Sequence, residues 1–265
     1  MFDRFDRPIT YLRISVTDKC NLRCRYCMPP EGVPVRRHGD FLSLEQVTEV
    51  ARAAVRLGVM KIRLTGGEPL VKRGIVELVQ MLAGISGLQH LGMTTNGTLL
   101  AGHARRLREA GLDSLNISLD TLQPDRYRFL TGGGDIRSVL DGIQAAREAA
   151  FPIKINMVVM EDTKPPEIQV MRQFSEERGL RLQLINHFSL GRKKGESYGF
   201  DRPPSCARCN RIRLMADGML KPCLHSDQEV KLDFSRLEES LREAVLSKPE
   251  RGGVCRTRAM SQIGG

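Results

Sequence analysis

The sequence predicts an α/β protein: a parallel sheet built from six strand–helix units as a partial (βα)6 barrel, followed by a smaller C-terminal module with its own cysteine group. Three observations predict it. Short runs with β character alternate with amphipathic helical stretches, an order that implies a parallel sheet with right-handed crossovers. Several of the strand-like runs read as nearly continuous apolar segments, as strands covered on both faces do. From Gly191 the texture changes to Gly, Lys, Arg and Pro, which marks a linker near 191–204 and divides the chain into 1–190 and 191–265.

The expected strands are Thr10–Val16, Met60–Thr65, Leu88–Thr94, Ser114–Leu119, Ile153–Met160 and Leu180–His187. Between them, Ser43–Leu57, Ile75–Ala83, Leu99–Ala110, Ile136–Ala149 and Pro166–Arg178 repeat apolar residues at helical spacing. Ser43 and Gln46 are spaced as a capping box. Gly58, Gly111 and Gly179 each follow a helix, where a left-handed residue ends it. Six units fall short of a closed eight-unit barrel, and in such folds the chemistry gathers at the C-terminal ends of the strands.

At 265 residues the chain can bury a core without disulfides, so its seven cysteines need another explanation. Three lie within eight residues and three more between positions 206 and 223; short spacers of this kind point to metal. Cys255 stands alone and reads as a buried apolar residue. The start, Met1-Phe2-Asp3-Arg4, lacks the apolar region of a secretion signal, and no stretch is long enough to span a membrane. A cytoplasmic location is therefore expected, where thiolates survive. The net charge of +10 favours an anionic partner such as a nucleotide or nucleic acid, with a solvated basic surface as the plain alternative.

Cys20-Asn21-Leu22-Arg23-Cys24-Arg25-Tyr26-Cys27 directly follows the first strand. Three thiolates at this spacing can wrap one corner of a 4Fe–4S cubane and leave one iron free for a small chelating molecule. Structural zinc is the competing reading, with His38 as the fourth ligand it would need. Thr65-Gly66-Gly67-Glu68-Pro69 ends the second strand, and its glycines let backbone approach a ligand. Together these segments resemble the radical S-adenosylmethionine superfamily, in which the free iron chelates the methionine amine and carboxylate.

Further segments narrow the resemblance. They are Tyr11–Asp18, Thr94-Thr95-Asn96-Gly97, Asn116–Leu122, Lys154-Ile155-Asn156, Cys206, Cys209 and Cys223 around Asn210-Arg211-Ile212-Arg213-Leu214, and the end Met260-Ser261-Gln262-Ile263-Gly264-Gly265. Over nearly the whole chain they resemble the GTP 3′,8-cyclase family of molybdenum cofactor biosynthesis. The resemblance implies two 4Fe–4S clusters, the first on Cys20, Cys24 and Cys27 and the second on Cys206, Cys209 and Cys223. It implies that Tyr26, Gly67, Ser118 and Asn186 contact S-adenosylmethionine. Arg13, Arg63, Thr94 and Lys154 would hold GTP, and Arg211, Ile212 and Arg213 would do so beside the second cluster. Arg13, Arg63 and Lys154 are thereby the expected catalytic residues. Gly264 and Gly265 would reach into the active site. Implied partners are a downstream cyclic pyranopterin monophosphate synthase and a low-potential reductant such as flavodoxin or ferredoxin. A homodimer is expected, and nucleic acid and membrane are not.

The chemistry of these residue types agrees. A triphosphate needs several cations, and the arginine fork matches phosphate geometry. At the second group, His225 is the alternative zinc ligand, two residues past Cys223. The chain departs from the family between strand six and Cys206, where only His187–Ser205 intervene and the family carries a much longer segment. Two rival readings follow: a radical enzyme acting on a peptide or another nucleotide, and a two-site zinc protein that binds nucleic acid.

Overall fold

The computed structural model of the chain describes residues 1–29, 31–33, 37–192, 199–200 and 205–264. Gly265, the His38 side chain and most of the 191–204 segment lie outside that set. Its elements in chain order are β1 (Tyr11–Ser15), α1 (Leu44–Arg56), β2 (Lys61–Thr65), α2 (Ile75–Ala83), β3 (His90–Thr95), α3 (Ala104–Glu109), β4 (Ser114–Ser118), α4 (Pro124–Thr131), α5 (Ile136–Glu148), β5 (Ile153–Val159), α6 (Pro165–Glu177) and β6 (Arg181–Asn186). Then come β7 (Arg211–Leu214), β8 (Met219–Lys221), β9 (Val230–Lys231), α7 (Leu237–Leu246) and α8 (Met260–Ile263).

Among the described residues nine strands form one sheet in the order β6-β5-β4-β3-β2-β1-β7-β8-β9. Strands β1 to β6 pair in parallel with their sequence neighbours, as the alternation of elements requires. The C-terminal residues extend the same sheet: β7 lies parallel to β1, with Tyr11 opposite Arg211 and Arg13 opposite Arg213. β8 and β9 complete that edge antiparallel.

The strands are not uniformly apolar; they alternate. Leu12, Ile14, Ile62, Leu64, Leu91, Met93, Leu115, Ile117, Ile155, Ile212 and Leu214 point to one face and are buried in the core under the helices. Each such side chain contributes roughly 2 kcal/mol by leaving water. Their neighbours point to the other face, where Tyr11, Arg13, Lys61, Arg63, Asn116, Lys154, Asn156, Gln183, Arg211 and Arg213 line a cavity. The inner face is thus a polar, cationic floor, and the helices cover only the outer one.

Helix α1 has the expected capping box: Ser43 Oγ accepts from the Gln46 amide, and Gln46 Oε1 accepts from the Ser43 amide. Gly58 and Gly111 take φ of +97° and +96°, as helix-ending glycines should. The expected helix Leu99–Ala110 is broken into a 3-10 turn, Leu100–Gly102, and α3. A non-helical His103 (φ −124°) separates them. Helix α4 is an addition to the expected set. It starts on Pro124 and stops at Gly132 with φ +69°. Cys255 is buried with Leu190, Met215 and Ile263 in a small second core.

Candidate active site

The cysteine loop after β1 is pinned by backbone. The Arg23 amide donates to Thr131 O and the Arg25 amide to Leu130 O, so the C-terminal end of α4 holds the loop. Within the loop, the Cys27 and Met28 amides both donate to Cys24 O, which turns Cys24 and Cys27 to the same side. Asn96 Nδ2 lies 3.8 Å from Cys20 Sγ as a donor. Burial raises the pKa of all three thiols, that of Cys27 to about 12. Thiols held this way ionise only when a metal takes the charge.

All three cysteines line one cavity of about 320 Å³, together with Tyr26, Gly67, Ser118 and Asn186. Tyr26 is held by its hydroxyl, which donates to Asp120 Oδ2 at 2.7 Å. Asp120 Oδ1 in turn accepts from the Val158 amide, and burial lifts this carboxyl to about 6. The Gly66-Gly67 turn packs against the cysteine loop: the Gly67 amide donates to Thr17 O and the Glu68 amide to Lys19 O. A Cβ on Gly67 would collide with Lys19 O, so this approach needs glycine. Glu68 is fully buried and accepts from Thr95 Oγ1 and the Asn96 and Leu70 amides, while burial lifts it to about 7. It ties the turn to the end of β3.

The centre of the cavity is cationic. Arg13, Lys61, Arg63, Lys154, Arg211 and Arg213 line it, and among the described residues no carboxylate does. Arg63 donates to Tyr11 Oη at 2.9 Å and to Met93 O at 3.0 Å. Gly92 makes room for it, since a Cβ there would sit 2.7 Å from Arg63 Nη2. Burial and neighbouring arginines lower the pKa of Arg13 and Arg213, the latter to about 10. At Tyr11 burial opposes ionisation, yet Arg13, Arg63 and Arg211 outweigh it and bring the phenol down to about 8. Asn156 Oδ1 and Arg211 Nε, on lining residues, are buried without a hydrogen-bond partner among the described residues. An anion carrying several acceptors would relieve this crowding of like charge.

Thr94 also lines the cavity. Ile212 does not: its side chain is fully buried in the core on the opposite face, because it lies between Arg211 and Arg213 on an alternating strand. Tyr11, Lys61, Asn116, Asn156 and Gln183 face the cavity without having been singled out. A period of two counted outward from Arg13, Arg63, Ser118 and Lys154 reaches the first four; Gln183 lies on β6, where none of those residues stands.

Cys206, Cys209 and Cys223 line a second, smaller cavity of about 70 Å³ that shares Arg211 and Arg213 with the first. Cys209 precedes β7, and Cys223 follows β8, which runs antiparallel to β7. The second triad therefore sits at the N-terminal end of β7, whereas Cys20 follows the C-terminal end of β1. The two triads flank the cationic floor from opposite ends. The Gly252 amide donates to Cys206 Sγ at 3.4 Å, and Arg7 Nη1 donates to Cys206 O. His225 is buried beside this cavity, its ring tilted against Phe188. Among the described residues no three His, Cys, Asp or Glu side chains close on a single metal ion. Each triad is arranged around a cavity, which suits separate irons of one cluster.

The C-terminal tail enters the large cavity. Ser15 Oγ donates to Gln262 O, and Arg213 Nη1 donates to Gly264 O at 3.1 Å. Upstream, Arg258 anchors the tail by pairing with Asp217 at 2.7 Å and with both carboxylate oxygens of Glu229.

The profile of the Radical SAM superfamily matches residues 14–174. The GTP 3′,8-cyclases of Alkaliphilus oremlandii (strain OhILAs) and Moorella thermoacetica (strain ATCC 39073 / JCM 9320) are 39% and 40% identical, each covering 100% of this chain and of the relative. This chain belongs to the GTP 3′,8-cyclase family of radical SAM enzymes. In fold, this family member is similar to Streptococcus suis SuiB bound to precursor peptide SuiA, with TM-score 0.68, 18% identity and coverage of 97% of this chain and 71% of that one. Native anSMEcpe with bound AdoMet is also similar, with TM-score 0.67, 16% identity and coverage of 91% and 81%. The alignments to the two cyclases run over 322 and 323 positions, so internal stretches of the relatives have no counterpart in these 265 residues. Among the described residues no helix is long and apolar enough to cross a membrane.

Proposed function

We propose that this chain converts GTP to (8S)-3′,8-cyclo-7,8-dihydro-GTP, the first step of molybdopterin biosynthesis, using two 4Fe–4S clusters. The observation that carries the reading is the cationic floor between two cysteine triads, with Tyr11 brought down to about 8 by the arginines around it. When bound, the first cluster and S-adenosylmethionine would supply a 5′-deoxyadenosyl radical to take the ribose 3′ hydrogen of GTP, after which C3′ bonds to guanine C8 and one electron from the reductant with one proton completes the 7,8-dihydro product.

The chain's own residues set the geometry. Cys20, Cys24 and Cys27 hold the first cluster; Tyr26, Gly67, Ser118 and Asn186 bind and orient S-adenosylmethionine beside it. Arg13, Arg63 and Lys154 bind the triphosphate and fix the ribose within reach, with Thr94 alongside. Cys206, Cys209 and Cys223 hold the second cluster, toward which Arg211 and Arg213 orient the purine. The tail, through Gly264, narrows the access of water to the cavity. We place the missing stretch between β6 and Cys206, outside the strands that carry these side chains. A flavodoxin or ferredoxin in the cytoplasm would supply the electrons, and a cyclic pyranopterin monophosphate synthase would take the product; we expect the enzyme to be a homodimer.

The test is anaerobic reconstitution, iron and sulfide counting, and incubation with dithionite, S-adenosylmethionine and GTP. Two clusters, 5′-deoxyadenosine and a cyclised product are expected. Deoxyadenosine with GTP unchanged would move the substrate to a peptide or another nucleotide. Cys223→Ala should keep slow uncoupled deoxyadenosine formation and lose GTP turnover; retained turnover would remove the second triad from the substrate site.

Gly92→Ala tests the arginine floor. The added methyl meets the far end of the Arg63 side chain, which gives way, so the cost falls on binding more than on folding. GTP affinity measured by equilibrium dialysis should fall about tenfold, equivalent to about 1.4 kcal/mol. Unchanged affinity would take Arg63 out of the GTP site.

A further inference from the structure

Lys248 has no role in the arrangement above, yet it is buried at 3% exposure and lines the cavity of the second triad. It follows α7 by two residues, so a helix end delivers its side chain from outside the sheet. Its ammonium donates to Arg211 O at 2.8 Å and to Pro222 O at 2.7 Å. Arg211 is two residues past Cys209, and Pro222 immediately precedes Cys223. One side chain therefore ties together the two chain segments that present two of the three thiols. Both partners are neutral carbonyls, and among the described residues no carboxylate pairs with the ammonium.

A buried ammonium with only neutral partners is costly, because it has lost hydration and gained no counter-charge. The groups placed to supply that charge are the thiols of Cys206, Cys209 and Cys223, which line the same cavity as Lys248. Three thiolates with a cluster are net negative and would compensate the ammonium, while the ammonium would offset their mutual repulsion.

We infer that Lys248 is a positioning residue for the second cluster: it clamps the Cys209 and Cys223 segments at cluster-binding separation and provides the counter-charge that sets the cluster's reduction potential. This rests on the reading that the second triad holds a cluster. The role needs both the hydrogen bonds and the charge, which separates it from ordinary packing of a lysine stem.

The experiment uses the full chain with Cys20, Cys24 and Cys27 replaced by alanine, so that only the second site can hold iron. This parent, and the same chain with Lys248→Met or Lys248→Gln, are reconstituted anaerobically. Iron and sulfide are counted, and the reduced cluster is titrated by electron paramagnetic resonance. The parent should hold about four irons per chain. Lys248→Met, which removes both bonds and charge, should lose most of them. Lys248→Gln keeps a donor without the charge; it should retain iron but reduce at a more negative potential, because the added electron loses a nearby cation. Fold is checked by introducing Lys248→Met into the otherwise native chain, where first-site cleavage of S-adenosylmethionine should persist. A parent without a cluster would overturn the second-cluster reading and this inference together. A loaded parent, with full iron in Lys248→Met or an unshifted potential in Lys248→Gln, would overturn this inference alone. Should Lys248→Met fail to fold, the potential of Lys248→Gln decides.

Discussion

Replacing Cys24 with alanine is expected to abolish cleavage of S-adenosylmethionine while leaving the second triad loaded. Cys24 is central to the loop twice over. Its thiol is one of the three proposed to hold the first cluster, and its carbonyl accepts from both the Cys27 and Met28 amides. The substitution keeps the carbonyl, so the loop should keep its course, pinned by Arg23 and Arg25 to the end of α4. What disappears is one corner of the ligand set, and two thiolates do not retain a cubane that must also chelate a substrate. Iron should fall from about eight to about four per chain, and 5′-deoxyadenosine should drop below detection. The circular dichroism spectrum should not change, since the loop contributes no strand or helix. Deoxyadenosine formation at the native rate would remove Cys24 from the first cluster.

The six-strand framework was legible because parallel strands are short, β-rich and punctuated by helix-ending glycines; β1 to β6 fall within two residues of their expected ends. The pairing of β7 with β1 was not. Those strands are about two hundred residues apart in sequence, and no local pattern records which strand a late segment will join. Helix α4 was missed because its eight residues carry little amphipathic signal, although Pro124 and Gly132 mark its ends. It matters to the site because it carries the cysteine loop.

Within the candidate site, the cysteines, glycines and arginines were legible as motifs, since their chemistry fixes residue type and spacing. Ile212 shows the limit of reading a motif as a block: between Arg211 and Arg213, strand alternation sends it into the core. Glu68, Asp120 and Lys248 act by holding other groups, through one carboxylate or ammonium each, and such roles leave no spacing to read. Glu68 also carries a pH signature. Burial lifts its folded pKa from about 4.5 to about 7, so its ionisation opposes folding as pH rises through that window. Glu68→Gln should flatten this loss in thermal melts of the cluster-free protein between those pH values.

The tail gives the second large effect. Gly264 adopts φ +70°, and a Cβ there would collide with Thr65 Oγ1 and lie 3.1 Å from the Gly66 amide nitrogen. The contrast with Gly92 is in the neighbour. Arg63 can swing its far end away, but Thr65 is buried, β-branched and donates its hydroxyl to Ile14 O, so it cannot turn without breaking that bond. In Gly264→Ala the tail must therefore be the part that moves. Arg258, paired with Asp217 and Glu229 six residues upstream, keeps the base of the tail in place. The disturbance is confined to the last residues, which lose the bond from Arg213 to Gly264 O. Both clusters should stay loaded and uncoupled deoxyadenosine should continue to form, while cyclised product falls by about a hundredfold, equivalent to about 2.7 kcal/mol of barrier. Deleting the last two residues should act in the same direction with the strain removed. Equal losses in both variants would assign the tail a contact with substrate, whereas a loss in Gly264→Ala alone would reduce it to a plug whose misplacement, not its absence, obstructs the cavity.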